Sequence, residues 1–97
     1  MVTEVAILKI EPEKANSFES MFGEVAPVIS RQPGHRINKL MRSIENPDTY
    51  ILIVEWDRVE SHKNFMKSKD YSLVAEGFDK FVIESTFAHY NTVAEFR

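Results

Sequence analysis

The chain has 97 residues, of which 43% are hydrophobic and 28% are charged, and its formal net charge is −3 at pH 7. This length fits one domain spanning residues 1–97, and the composition is that of a globular protein, which excludes a disordered chain. Acidic and basic residues are mixed along the sequence, so the basic stripe typical of nucleic-acid-binding proteins is missing and we expect no nucleic-acid partner.

The absence of cysteine excludes disulfides, thiolate metal sites and a cysteine nucleophile, and it is compatible with a reducing compartment. No apolar stretch approaches the ~20 residues that are needed to span a bilayer. Residues Met1–Val5 lack the basic start and the apolar run of a signal peptide. We therefore expect a cytoplasmic protein with no membrane partner.

The first third of the chain predicts a strand followed by a long helix. Val5–Ile10 is a short apolar run rich in β-branched residues, as strands are. Pro12 suits the first turn of a helix, and an apolar stripe at helical spacing follows it, formed by Phe18, Met21, Phe22, Val25 and Ile29. Pro27 should kink or loosen the last turns because it has no backbone N–H to donate, and Gln32–Gly34 should end the helix.

Two strands joined by a turn are predicted next. His35–Ile44 alternates, with Ile37 and Met41 on one face and with Asn38, Leu40, Arg42 and Ile44 on the other. Glu45–Asp48 is a turn sequence of the kind that joins antiparallel neighbours. Tyr50–Trp56 is apolar on both faces, which is typical of a strand in the middle of a sheet that is covered on both sides.

The last part of the chain predicts two short helices and a final strand. The first helix is marked by Val59, His62, Phe65 and Met66, and Ser68 or Asp70 can cap the second. The second helix contains Gly77, at a cost of ~1 kcal/mol relative to alanine, and its apolar face holds Tyr71, Val74, Ala75, Phe78, Phe81 and Val82. From about Ile83 to Phe96 the residues favour a strand.

This order of elements predicts an α+β fold of ferredoxin-like βαββαβ type, with the helices on one face of a four-stranded antiparallel sheet. Ile51 and Ile53 fall on the side of their strand opposite Leu52, Val54 and Trp56, and no further element is left to cover that side. A second copy of the chain can cover it. We therefore expect a homodimer in which two sheets pack face to face.

Three segments carry a family resemblance: Gln32–His35, Arg42–Pro47 and Val54–His62. They form a Pro-Gly turn, an arginine-bearing strand with its turn, and a strand ending in Glu-Trp before a short helix with a histidine. In this order the chain resembles the antibiotic biosynthesis monooxygenase (ABM) superfamily and the neighbouring dimeric α/β-barrel families, over nearly its whole length.

The resemblance implies a dimeric ferredoxin-like barrel with one small-molecule pocket per subunit, between sheet and helices. Relatives include cofactor-independent monooxygenases that oxidise aromatic quinols or polyketide anthrones, haem-degrading enzymes and a signal-molecule isomerase. The fold therefore does not fix the chemistry, which has to be argued from individual residues.

Two histidines are the candidate catalytic residues. His62 lies on the helix stripe that faces the sheet, where an imidazole can exchange protons near neutral pH; the alternative is a half-buried structural histidine. His89 and Tyr90 point to opposite faces of the last strand, so only one of them can face the pocket. The sequence does not decide which, although Phe87 shares the face of His89 and favours its burial.

The candidate substrate-binding residues are four aromatic and two polar side chains. Trp56 ends the central strand, where an indole can floor a cavity and donate one hydrogen bond. Phe65, Tyr71 and Phe78 form a candidate aromatic wall, and Asn38 and Arg42 share a strand face from which they could reach a polar group of a ligand. The alternatives are an ordinary core for the aromatic residues and exposed strand positions for the polar pair.

We expect no metal and no cofactor. His35, His62 and His89 are scattered, without the close histidine–carboxylate spacing of metalloenzymes. In the haem-degrading branch of the superfamily, an asparagine lies on the first strand and the iron-binding histidine on the second short helix; those positions align here with Ala6 and Ala75, which cannot serve. No serine lies in a nucleophile-elbow sequence.

The leading hypothesis is a cofactor-independent monooxygenase in which His62 or His89 deprotonates a phenol or quinol. The resulting anion then reacts with dioxygen directly, while the protein excludes water and orients the ring. Two alternatives stay open: a non-catalytic ligand-binding or assembly homodimer, and an isomerase or cyclase that moves protons with the same histidines.

Overall fold

The computed structural model describes residues 1–97, and its elements follow the predicted order. Strand β1 is Val2–Ile10, and a 3₁₀ turn at Pro12–Lys14 leads into helix α1, Ala15–Ser30. Strands β2 and β3 are His35–Arg42 and Thr49–Trp56. Helices α2 and α3 are Val59–Met66 and Lys69–Asp79, and strand β4 is Val82–Tyr90. No helix combines the length and the apolar character that crossing a membrane requires.

The four strands form one antiparallel sheet in the order β2-β3-β1-β4. The predicted ferredoxin-like α+β architecture is therefore confirmed. In the central pair, Val2 lies opposite Trp56 and Glu4 lies opposite Val54, while on the other side of β1 Glu4 lies opposite His89. This register brings the first residues of β1 next to the last residues of β3 and β4.

One face of the sheet packs against the helices and forms the core. Side chains alternate along a strand, and the even-numbered residues of β1 and β3 are the buried ones, among them Leu8, Tyr50 and Trp56. Phe18 of α1 is completely buried over this face, where its ring meets the edge of the Tyr50 ring at a centroid distance of 4.9 Å. The apolar stripe of α1 thus packs against the sheet, as its helical spacing predicts.

The opposite face of the sheet carries apolar residues that no helix covers. Ile7, Ile37 and Met41 are 47%, 45% and 41% exposed, while Ile51 and Ile53 in the middle of β3 are half-buried. Strand β3 therefore has the two apolar faces that its sequence predicts, and only one of them is covered within the chain.

Two strand ends differ from the prediction. Strand β4 ends at Tyr90 and not near Phe96, because Tyr90 already lies opposite Thr3 and β1 begins at Val2, so no strand is left to pair with residues 91–97. Strand β2 ends at Arg42 and not at Ile44, because Ser43 begins the turn and its hydroxyl accepts a hydrogen bond from the Asn46 N–H.

The proline in α1 does not end the helix. The expectation that Pro27 would loosen the last turns is not met, since helix α1 continues to Ser30 and the Pro27 carbonyl accepts a hydrogen bond from the Arg31 N–H at 3.1 Å. Pro27 is exposed, so the backbone hydrogen bond that proline cannot donate is missing at a position on the solvent side of the helix. The chain then reverses at Gly34, whose φ of +86° explains why glycine occupies this turn.

Candidate active site

A cavity of about 190 Å³ lies between the helix-covered face of the sheet and helices α2 and α3. Nineteen residues line it and 14 of them are hydrophobic. The polar lining residues are Glu4, His62, Asp79, Ser85 and Thr86. A concave, mostly apolar cavity with a few polar groups is the usual form of a small-molecule site.

The cavity opens at the edge of the sheet. Helix α3 packs mainly against α1 and leaves strand β4 with little helix cover. The lining residues exposed to solvent lie on these two elements; they include Asp79 on α3 and Ser85 and Phe87 on β4. A ligand would therefore enter between α3 and β4 and meet the buried end of the cavity at β1 and α2.

A carboxylate, an indole and an imidazole meet at the buried end. The Trp56 Nε1–H donates a hydrogen bond of 3.1 Å to Glu4 Oε1, and His62 Nε2 lies 3.3 Å from the same oxygen. The Trp56 and His62 rings are stacked, with centroids 5.3 Å apart and planes inclined by 17°. All three residues are buried, Glu4 at 9% exposure and His62 at 5%.

His89 extends this cluster away from the cavity. Its Nε2 lies 2.7 Å from His62 Nδ1, so the two imidazoles share a hydrogen bond. The contact follows from the strand register, because His89 is the cross-strand partner of Glu4 and its side chain points to the same face. His89 is half-buried behind His62 and does not line the cavity.

Burial shifts both titratable groups at this end toward their neutral forms. Desolvation raises the pKa of Glu4, and the hydrogen bond from Trp56 partly opposes that shift. Burial, and then the neighbouring His89, lower the pKa of His62 to about 4. His62 is therefore neutral at physiological pH, and the Glu4 carboxylate is a stronger base than a carboxylate in water.

The structure brings most of the predicted site residues together. Five of them line the cavity: Trp56, His62, Phe65, Tyr71 and Phe78. His89 joins the site through His62. The ambiguity on β4 is resolved, because Tyr90 lies on the uncovered face and is 57% exposed.

Asn38 and Arg42 lie outside the cavity, and nearby groups use their polar atoms. The Asn38 Oδ1 accepts a hydrogen bond from the Ser30 hydroxyl and lies 2.9 Å from His35 Nε2. The Arg42 Nε donates to the Pro47 carbonyl, and its guanidinium lies over the Tyr50 ring. Asn38 thus links β2 to the end of α1, and Arg42 links β2 to the turn that follows it.

Glu4 is the site residue that sequence reasoning missed. A signal existed, because Glu4 is in phase with Val2, Ala6 and Leu8 on the buried face of β1. A carboxylate at such a position needs partners or a shifted pKa. The strand prediction began at Val5 and so passed over it.

The residues present do not fit haem. Ala6 and Ala75 both line the cavity and offer only methyl groups at the positions expected to serve haem. Elsewhere, no group of three or more histidine, aspartate or glutamate side chains is arranged to hold a metal ion. The two nitrogens of His62 face Glu4 and His89 separately and do not converge with them on one point.

Comparisons with known proteins agree with this architecture. The sequence profile of the antibiotic biosynthesis monooxygenase family matches residues 1–77. Over 72 residues the chain is 36% identical to the uncharacterised protein YczJ of Bacillus subtilis strain 168, covering 73% of this chain and 76% of that protein.

Solved structures give the same result. A protein of Bordetella bronchiseptica, described as a candidate antibiotic biosynthesis monooxygenase, superposes with a TM-score of 0.91 at 27% identity, over 96% of this chain and 97% of that one. SnoaB, a cofactor-independent oxygenase from Streptomyces nogalater, superposes with a TM-score of 0.84 at 21% identity, over 97% and 94%. With its elements in the predicted order and its sequence matching from β1 into α3, this chain belongs to the antibiotic biosynthesis monooxygenase family.

Proposed function

We propose that this chain is a cofactor-independent monooxygenase that acts on a small phenol or quinol bound in the cavity. The observation that carries the proposal is the arrangement of the site: an apolar cavity ends at buried Glu4 and His62, and His62 is hydrogen-bonded to half-buried His89 behind it. Family membership supports monooxygenase chemistry, and the fold shared with the cofactor-independent oxygenase SnoaB is compatible with it.

The chemistry needs little from the protein besides a base and a dry cavity. Removal of the hydroxyl proton leaves an electron-rich anion that can pass electrons to dioxygen. One oxygen atom then enters the ring and the other leaves as water, and the substrate supplies all the electrons. The cavity contributes orientation, exclusion of water and a proton acceptor.

The size of the cavity favours a one-ring substrate over a three-ring anthrone. A cavity of about 150 Å³ accommodates a benzene ring, and the cavity here is only moderately larger, at about 190 Å³. Trp56, Phe65, Tyr71 and Phe78 supply aromatic surface for a flat ring. A hydroxyl on that ring would lie at the buried end, beside Glu4 and His62.

Oxygen consumption tests this proposal directly. Chelator-treated protein is incubated with substituted hydroquinones, a naphthohydroquinone and an anthrone, and oxygen uptake is measured above the rate without protein. We expect uptake with one-ring quinols and one atom from ¹⁸O₂ in the product. Failure of every quinol to react faster than in buffer would contradict the proposal, and binding without turnover would favour a ligand-binding role.

A cavity-filling variant ties the activity to this site. In Ala75→Phe a ring replaces a methyl group on the cavity wall. We therefore expect the oxygen-uptake rate to fall to the rate measured without protein. The matched control is Leu73→Phe on the same helix, because Leu73 is 52% exposed and does not line the cavity. Equal rates in the two variants would mean that turnover occurs elsewhere.

The same cluster also supports a second candidate, an isomerase or cyclase that moves protons without oxygen. The observation behind it is the Glu4–His62–His89 cluster itself, since general acid–base groups serve either chemistry. Product formation under anaerobic conditions would favour this alternative over the oxygenase.

We further propose that the chain works as a homodimer. The uncovered sheet face, with Ile7, Ile37 and Met41 exposed and Ile51 and Ile53 half-buried, is the kind of apolar patch that marks a protein interface. A self-complementary surface can close on a second copy by a two-fold axis.

A further inference from the structure

Within the cluster, we propose that Glu4 takes the proton from the substrate hydroxyl, and that Trp56, His62 and His89 are positioning residues for its carboxylate. The inference rests on the proposed function, because it assigns the base for that reaction. It also shifts the catalytic role from the two histidines, which the sequence suggested, to a residue that the sequence did not single out.

One oxygen of the Glu4 carboxylate is free for a ligand. Oε1 accepts the Trp56 N–H and faces His62 Nε2, whereas Oε2 makes no hydrogen bond within the chain. No fully buried side-chain polar atom lacks a hydrogen-bond partner, so Oε2 must have accessible surface. Glu4 lines the cavity, so the proposal places the substrate hydroxyl against this surface of Oε2.

His62 is poorly placed to accept the proton, because its Nδ1 shares a hydrogen bond with His89 Nε2 and its Nε2 faces Glu4 Oε1 at 3.3 Å. A carboxylate only accepts hydrogen bonds, so the ring hydrogen of neutral His62 belongs on Nε2, facing Glu4 Oε1. Nδ1 is then the acceptor for the Nε2–H of His89, 2.7 Å away. In this arrangement His89 fixes the tautomer of His62, and the Trp56 N–H holds Glu4 by Oε1, the oxygen that faces His62.

No other titratable group shares the buried end of the cavity. Tyr71 and Asp79 on α3 line the cavity near its opening and are exposed. On β2, His35 meets the Trp56 ring at a centroid distance of 5.8 Å but does not line the cavity. Helix α1 contributes only the apolar Ile29. The pKa of Glu4 is therefore governed by burial and by the Trp56 hydrogen bond, with His62 as its nearest titratable neighbour.

The proton-transfer step is balanced without a further reagent. The substrate O–H bond breaks, the proton forms an O–H bond on Glu4 Oε2, and the electron pair stays on the substrate oxygen as a phenolate. Phenols of the tyrosine type have a pKa of about 10. A carboxyl whose pKa is raised by burial is closer to that value than an ordinary one, so the transfer is less uphill.

A chromophoric phenol tests the assignment without oxygen chemistry. 4-Nitrophenol is titrated anaerobically into the protein at a pH below its own pKa, and the visible band of the phenolate is recorded. We expect the wild-type protein to produce the band on binding. Glu4→Gln should bind the neutral phenol without the band, with binding followed by calorimetry. Glu76→Gln on the exposed side of α3 is the matched control and should keep the band.

Positioning residues should behave differently from the base. His62→Gln and His89→Gln should keep the phenolate band but move the pH at which it appears, which a purely structural role would not do. With a turned-over quinol, Glu4→Gln should lower kcat/KM by about 100-fold or more, in the range of general-base catalysis. If Glu4→Gln does not fold, Glu4→Asp keeps the carboxylate on a shorter side chain and should weaken the band without abolishing it.

Several results would overturn the assignment. These are a full band in folded Glu4→Gln, loss of the band in Asp79→Asn, or no band with the wild-type protein. Failure of the oxygenase proposal gives a different pattern: the band forms and depends on Glu4, but no quinol consumes oxygen.

Discussion

At the scale of single residues, burial decides the chemistry of this site more than residue type does. Glu4 and His62 are common residues, yet both lie at the closed end of an apolar cavity, where burial shifts the pKa of each in the direction of its neutral form. Opposite charges on the two would attract each other, but forming them requires two ions in a poorly solvated place. A carboxylate acceptor beside a neutral imidazole donor leaves only one ion in that place.

His62 gives the folded protein an acid-sensitive component of stability. Its pKa is 6.5 in the unfolded chain and about 4 in the folded one, so between these values the unfolded state binds a proton that the folded state does not. The stability contributed by neutral His62 is therefore complete above about pH 6.5 and is lost progressively as the pH falls toward 4. Urea unfolding of the wild-type protein and of His62→Gln checks this. The unfolding free energy of the wild-type protein minus that of the variant should decrease as the pH falls from 6.5 to 4.

The comparison between the two proteins is its own control, since every other titrating group is common to both. Glu4 acts in the opposite sense, because its raised pKa means that its ionisation destabilises the fold as the pH rises. A wild-type-minus-variant difference that does not change with pH would contradict a depressed pKa for His62.

At the scale of secondary-structure elements, helix ends and glycines can be tested separately from the site. Ser68 caps α3: its hydroxyl accepts a hydrogen bond from the Tyr71 N–H at 3.3 Å and donates to the Phe65 carbonyl at 2.6 Å. It therefore joins the end of α2 to the start of α3, which together form one side of the cavity.

Ser68→Ala should destabilise the protein by about 1 kcal/mol, the usual cost of losing an N-cap. For a domain of this size that corresponds to a fall in Tm of about 4–8 °C, measurable by calorimetry. The matched control is Ser72→Ala, at an exposed position inside the same helix. This control should be neutral or slightly stabilising, since alanine is the better helix former. Equal losses in both variants would refute the capping role.

Gly23 offers a stabilising substitution on α1. It is exposed in the helix interior, and a Cβ built there has no neighbouring atom within 4 Å. Gly23→Ala should therefore raise the unfolding free energy by about 0.5–1 kcal/mol, measured by urea denaturation.

Gly34→Ala is the contrasting change and should destabilise the protein. The φ of Gly34 is +86°, and an added Cβ would collide with the side chains of Asp57 and Ser61. Opposite signs for the two glycine substitutions are expected because only Gly34 uses the conformational freedom of glycine. Stabilisation by Gly34→Ala would contradict this account of the turn.

At the scale of the whole molecule, the second face of the sheet is the surface that the chain itself does not cover. Helices cover one face only, and the uncovered face presents apolar side chains from all four strands, from Met41 on β2 to Tyr90 on β4. Leaving this surface in water forgoes stabilisation of roughly 25 cal/mol per Å². Burial against a second copy, as proposed above, would recover it.

Ile7→Glu should convert the proposed dimer into a monomer. Ile7 is 47% exposed on the uncovered face, opposite Ile51 in the sheet, and a carboxylate there would have to be buried without a partner. Sedimentation velocity at micromolar concentration should give twice the chain mass for the wild-type protein and a lighter species for the variant. Ile44→Glu, in the exposed turn after β2 with 92% exposure, should remain dimeric. A wild-type monomer would remove the proposal.

The sequence by itself determined the order of the elements and which stripe of each faces inward, because hydrophobic periodicity and turn residues are local signals. Residues such as Phe18 and Leu52 lie where their spacing predicts, and of the two caps that the sequence offered for α3, Ser68 and Asp70, the structure uses Ser68. The sequence also selected His62 and the aromatic residues of the cavity, since these lie on predicted inward stripes. It could not place the end of β4, which depends on where β1 runs out of residues to pair with.

Only the tertiary structure decided which polar residues form the site. The meeting of Glu4, Trp56, His62 and His89 requires the register of β1 with β3 and β4 and the docking of α2 over the sheet, both of which join residues far apart in the chain. The same long-range packing excluded Asn38 and Arg42, whose strand face was correct but whose positions on β2 lie away from the cavity. Burial, which sets the pKa of Glu4 and of His62, is likewise a property of the assembled fold and not of any local segment.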